Sequence, residues 1–199
     1  MPGVYAWYFS PEITDYDLEC LVSDIESLKA VGDNKGAASL LAEFMLSNVF
    51  SYFAEQPYQA TLTGPLMPKY TGTIHHAPAL SPDLVARLVD EPSRLLTLKR
   101  VLEGSAPYFS SPLYIGMSDS LRTRLMQHKR LIERLQDAPA ASEGFAEDRD
   151  HSFAREVVAR GMPTARLFVI AEVIDTSDRS YVDVENILNR IHYPLLGRN

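Results

Sequence analysis

Residues 112–135, P-L-Y-I-G-M-S-D-S-L-R-T-R-L-M-Q-H-K-R-L-I-E-R-L, change their hydrophobic period in mid-stretch. Pro112 to Gly116, PLYIG, has the aromatic and β-branched composition of a short strand. Ser118-Asp119-Ser120 follows, with side-chain oxygens suited to accept from the first free amides of a helix. Leu121, Leu125, Ile132 and Leu135 then recur at helical spacing, so the stretch predicts strand, cap and helix in that order. Arg124 and His128 stand four apart and share one face of that helix, where they are expected to flank its core-facing edge and border a cleft.

Working outward, Gly3 to Phe9, GVYAWYF, predicts a buried strand closed by Ser10-Pro11. Asp17–Ala30 and Gly36–Ala54 carry apolar residues at helical spacing, with Gly32-Asp33-Asn34 as the break between them. Residues 57–78 hold four prolines and short Thr-rich alternations, which read as a loop or a ragged hairpin. Ser81-Pro82 then opens a helix, with serine as cap and proline at the first helical position; Pro92 is expected to divide it. Beyond the opening stretch, Asp137–Asp150 reads as a surface loop, Ser152–Arg160 as a helix and Ala165–Ile174 as a strand. A turn over Asp175–Ser180 and a helix over Val182–Ile191 follow.

The chain has 199 residues, 46% of them hydrophobic, with 19 basic and 26 acidic side chains. Disordered and fibrous classes are excluded by that balance. Cys20 is the lone cysteine, so an internal disulfide or a cysteine-built zinc site is excluded. The longest apolar run, Leu167–Ile174, is too short to cross a bilayer and holds Glu172; with no basic, signal-like start, the expected location is the cytoplasm and no membrane partner is expected. Charge is unevenly spread. Residues 11–93 carry a net of −8, whereas residues 94–134 carry eight bases against three acids, a net of +5. The acidic stretch repels a polyanion, and the basic belt is either a solvated helix face or a nucleic-acid contact.

The chain resembles the GIY-YIG nuclease superfamily in four pieces: Gly3-Val4-Tyr5, Tyr114-Ile115-Gly116, the pair Arg124 and His128, and the closing E-N-I-L-N-R-I-H-Y-P-L-L-G-R-N from Glu185 to Asn199. The resemblance covers residues 1–10 and about 112–199. It implies an α/β (α+β) fold with a small, mostly antiparallel three-stranded sheet flanked by helices. In the family the two signature strands are joined by a short hairpin; here Tyr5 and Tyr114 stand 109 positions apart, so residues 11–111 are expected to form an inserted, mainly helical subdomain. Closing a long loop costs only logarithmically more than a short one, so such an insertion is tolerable if it folds on itself.

The implied activity is divalent-metal-dependent endonuclease cleavage of a nucleic acid, with DNA the expected substrate. Carried over by position, the resemblance implies that Glu185 binds Mg²⁺ or Mn²⁺ and Arg124 steadies the scissile phosphate. Tyr5, Tyr114 and His128 then surround the attacking water, and Asn199 helps hold the site together. A hard cation accepts one carboxylate plus phosphate oxygens and water, and arginine meets a phosphate with two charge-assisted hydrogen bonds. The general base is Tyr5 or His128: imidazole titrates near pH 6.5 unaided, whereas a phenol at about 10 must be lowered. Arg122, Lys129 and Arg130 in the basic belt are the expected nucleic-acid contacts.

Taken singly, each residue has an ordinary reading. The tyrosines suit strand packing, Arg124 and His128 a solvated helix face, and Glu185 the first turn of a helix. Their coincidence favours the nuclease. The alternative is a catalytically idle module of the same fold that binds nucleic acid or protein, with acidic residues 11–93 as docking surface. His75-His76 lacks partners at ligand spacing, Gly116-Met-Ser118 lacks the second glycine of a nucleophile elbow, and no glycine-rich phosphate loop is present. Oligomeric state is not legible.

Overall fold

Aromatic and β-branched side chains stiffen Gly3–Phe9 into β1, the strand on which one sheet is built. The computed structural model describes residues 1–54, 57–64, 69–74, 78–137, 149–174 and 179–197. His75-His76, most of the 137–150 loop, most of the 175–180 turn and Asn199 lie outside the described residues. After β1 come α1 (Asp15–Ala30), α2 (Asn34–Met45), β2 (Tyr58–Leu62), β3 (Tyr70–Ile74), α3 (Pro82–Asp90) and α4 (Arg94–Phe109). The chain continues through β4 (Tyr114–Ser118), α5 (Leu121–Asp137), α6 (Arg149–Ala159), β5 (Leu167–Val173) and α7 (Tyr181–His192). The fold is mixed α and β, with a small antiparallel three-stranded sheet and a separate two-stranded one.

Two compact units divide the chain: Met1–Glu12 with Arg100–Asn199, and Ile13–Lys99. In the first, β1 is the central strand between β4 and β5, antiparallel to both. Direct pairing sets Tyr5 opposite Gly116 and Trp7 opposite Tyr114, and residues opposite each other project from the same face. Trp7 and Tyr114 meet Phe153 of α6 on that face, at ring centroid distances of 5.8 and 5.0 Å. On the other face Tyr8 stacks on its β5 partner Phe168 at 5.2 Å. Burial raises the pKa of the Tyr8 phenol above its ordinary value. After α7 the chain turns at Tyr193, whose φ of 45° is left-handed, and returns to the residues that lead into β4: Leu195 N–H donates to Pro112 O and Leu196 N–H to Leu113 O.

The second unit packs α1, α2 and α3 around Leu18, Leu21, Ile25, Leu41 and Leu88. Thr14 Oγ1 caps α1 by accepting from Asp17 N–H, and Ser81 Oγ caps α3 by accepting from Leu84 N–H. In this region one expectation changes and one left open is decided. The helical stretch expected over Gly36–Ala54 leaves α-geometry at Met45 and finishes as one π-turn, Leu46–Phe50, and a 3₁₀ turn, Ser51–Phe53. Tyr58–Leu62 and Tyr70–Ile74 pair antiparallel as β2 and β3, which takes the hairpin side of the choice between loop and hairpin that sequence left open; both strands are largely exposed. Among the described residues no helix is long and apolar enough to cross a membrane.

Candidate active site

Antiparallel pairing of β1 with β4 sets the two tyrosine signatures side by side, although 109 positions separate them. α5 packs against β1 and β4 and delivers His128 to their aromatic face. His128 does not flank the apolar stripe, as the sequence suggested, but completes it. Leu121, Leu125, His128, Ile132 and Leu135 follow one inward seam, and His128 is 1% exposed.

The Tyr5 hydroxyl and His128 Nε2 lie 2.8 Å apart in a buried hydrogen bond, with Tyr5 2% exposed. The Tyr114 ring is 5.6 Å from His128 and 6.2 Å from Tyr5, centroid to centroid. Trp7 and Phe153 close the rest of the imidazole's surroundings at 6.1 and 5.6 Å. This aromatic packing fixes both ring orientations, so the phenol and imidazole meet without searching rotamers. A Cβ on Gly116 would fall 2.7 Å from Tyr5 Oη and 2.8 Å from Tyr114 Cε1. Glycine after Ile115 is therefore a requirement of space.

Tyr114 is half-buried and connects this cluster with the last helix. Its ring lies against Gly197, where a Cβ would come within 3.0 Å of Tyr114 Cδ2. Gly197 in turn lines a cavity of about 330 Å³ with Glu185, Asn189, Arg190 and Tyr193. Glu185 sits in α7, which packs against β4 and β1. Asn189, one turn further along, donates from Nδ2 to Glu185 Oε1 at 2.6 Å and to the Glu185 carbonyl at 3.1 Å.

Arg124 is half-buried and faces a different cavity, of about 350 Å³, at the start of α5 with Ser120, Thr123, Gln127 and Arg179. Asp119 on the same cavity accepts from the Tyr181 hydroxyl, and Arg179 Nε donates to that hydroxyl at 3.3 Å. This bond, with the nearby Asp119 carboxylate, raises the Arg179 pKa above its ordinary value. Arg122, Lys129 and Arg130 are exposed along α5, and Lys129 forms a 3.7 Å pair with Glu133.

Tyr5, Tyr114 and His128 thus come together, Tyr114 reaches the wall of the Glu185 cavity, and Glu185 and Arg124 line separate cavities. Among the described residues no group of three or more His, Cys, Asp or Glu side chains is disposed to hold a metal ion. Three contributors were not singled out from sequence. Trp7 is legible as the next residue on the Tyr5 face of β1, and Asn189 as the helical i+4 neighbour of Glu185. Phe153 carries no local signal, because its role arises from how α6 packs. Searches against protein families, curated proteins and solved structures return no match to this chain.

Proposed function

We propose that this chain is a divalent-metal-dependent endonuclease that hydrolyses nucleic-acid phosphodiester bonds, with DNA as its substrate. In this reading residues 1–10 and 112–199 are a GIY-YIG-like core and 11–111 its insertion. The observation that supports it most is the buried 2.8 Å contact between Tyr5 and His128, made by residues 123 positions apart, with Tyr114 against both rings. Hydrolysis needs a proton acceptor for the attacking water, and a phenol bonded to an imidazole is such a relay. Tyr114, whose ring lies against Gly197 of the Glu185 cavity, orients the water. Arg124 contacts the phosphate and offsets charge that develops on it.

The residues fit a hard cation. Glu185 brings a carboxylate into the cavity, and an ion that retains most of its waters needs one carboxylate from the protein. When bound, Mg²⁺ or Mn²⁺ supplies Lewis-acid neutralisation of the phosphate oxygens. Glu185 is the residue that holds it, and Asn199 acts as the resemblance implies. The cytoplasm is the proposed setting, where the exposed thiol of Cys20 stays reduced. The test incubates plasmid and oligonucleotide substrates with the protein and Mg²⁺ or Mn²⁺, beside Arg124→Ala and Glu185→Ala. Cleavage by the wild type alone is expected; equal trace cleavage by all three overturns the catalytic reading.

Burial of Tyr5 and His128 favours a second reading, since a proton acceptor closed to solvent meets no water until the site opens. It makes the chain a binding module without turnover, one that retains nucleic acid on its core or docks a protein partner through acidic residues 11–93. Retention of duplex without cleavage or metal uptake supports it over the first.

A further inference from the structure

We infer that Asn189 is a positioning residue that holds the Glu185 carboxylate in place for a divalent cation, an inference that rests on the proposed role of Glu185. Three features of α7 carry it. First, the four-residue spacing puts Asn189 and Glu185 on the same face of the helix, and both line the same cavity. Second, the Asn189 amide is bound twice to one residue: Nδ2 donates to the Glu185 carbonyl at 3.1 Å, which anchors the amide to the helix, and to Oε1 at 2.6 Å. The carboxylate is thereby held at one oxygen by a group that is itself fixed. Third, Asn189 Oδ1 is buried and has no hydrogen-bond partner among the described residues.

The choice of residue matters chemically. A lysine or arginine at position 189 would hold the carboxylate as well but would neutralise the charge that attracts a cation. An amide donates a hydrogen bond and leaves the full negative charge in place. It also keeps an acceptor, Oδ1, that a water on the ion can satisfy; buried acceptors of this kind are generally partnered. Glu185 makes its contact to Asn189 with Oε1, and Oε2 is the oxygen assigned to the cation. Glu185 is the one carboxylate lining the cavity among the described residues, so its orientation governs affinity.

The test measures Mn²⁺ binding by electron paramagnetic resonance on the full chain. It compares wild type, Asn189→Leu, which keeps the branched shape without the amide, Asn189→Ala in case leucine perturbs folding, and Glu185→Gln. Loss of an outer partner of a metal ligand weakens affinity about 10- to 100-fold, so both Asn189 variants are expected in that range with unchanged melting temperature. Glu185→Gln is expected to lose the ion. In the cleavage assay the Asn189 variants recover near wild-type rate when Mn²⁺ is raised to saturation. Binding by both variants within twofold of wild type overturns the inference and leaves the nuclease reading standing, as does a loss of rate that no metal concentration restores. A wild type that takes up no Mn²⁺ overturns both.

Discussion

Gly116 is the residue whose replacement speaks most directly about the tyrosine pair. A Cβ there meets Tyr5 Oη and Tyr114 Cε1 at under 3 Å, and the Tyr5 ring, 2% exposed and packed against Tyr114 and His128, has no open space to retreat into. Gly116→Ala is expected to cost about 1–3 kcal/mol, as overpacked cores do, read as a shift in the denaturation midpoint. Tyr5→Phe keeps the ring and removes the hydroxyl, leaving His128 Nε2 without it in a buried site. The expected loss is about 1–3 kcal/mol in stability, together with loss of cleavage. Full cleavage by the phenylalanine variant would remove Tyr5 from the chemistry and leave His128 as the base.

At the scale of elements, α5 has two faces with two roles. Its inward seam carries His128 into the core, and its outward side exposes Arg122, Lys129 and Arg130. If those three meet phosphates, replacing all three with alanine lowers the slope of log affinity against log salt by about 0.7–0.9 for each phosphate that is no longer neutralised, measured by duplex titration at several salt concentrations. An unchanged slope assigns them to solvent. α3 offers a test free of function: Ser81→Ala removes the bond to Leu84 N–H and is expected to cost about 0.5–2 kcal/mol by chemical denaturation. Serine followed by proline made that helix start legible. The end of α2 was not legible, because the apolar spacing of Phe44, Met45, Val49 and Phe53 continues while the hydrogen bonding shifts from α to π to 3₁₀. Side-chain periodicity reports which face is apolar and is insensitive to a one-residue change in bonding partner.

Across the whole molecule, net charge is −7, and the acidic surplus lies in residues 11–93. Glu19, Asp24 and Glu26 on α1 are exposed and support none of the packing around Leu18, Leu21 and Ile25. Neutralising all three to Gln, Asn and Gln is expected to raise affinity for non-specific duplex at low salt, with stability changed by less than about 0.5 kcal/mol per site. Unchanged affinity would mean that this charge does not screen the chain from nucleic acid. Sequence by itself determined the elements and their class: alternating and helical hydrophobic periods are local, as are caps and breakers, and they set out helix and strand along most of the chain. It also carried the residue types of the site. Only tertiary structure decided that Tyr5 pairs across from Gly116, that Phe153 shuts the imidazole in, and that Glu185 and Arg124 face different cavities. Those relations depend on strand register and on how helices pack over a sheet, which are set by contacts between residues a hundred positions apart and leave no trace in local spacing.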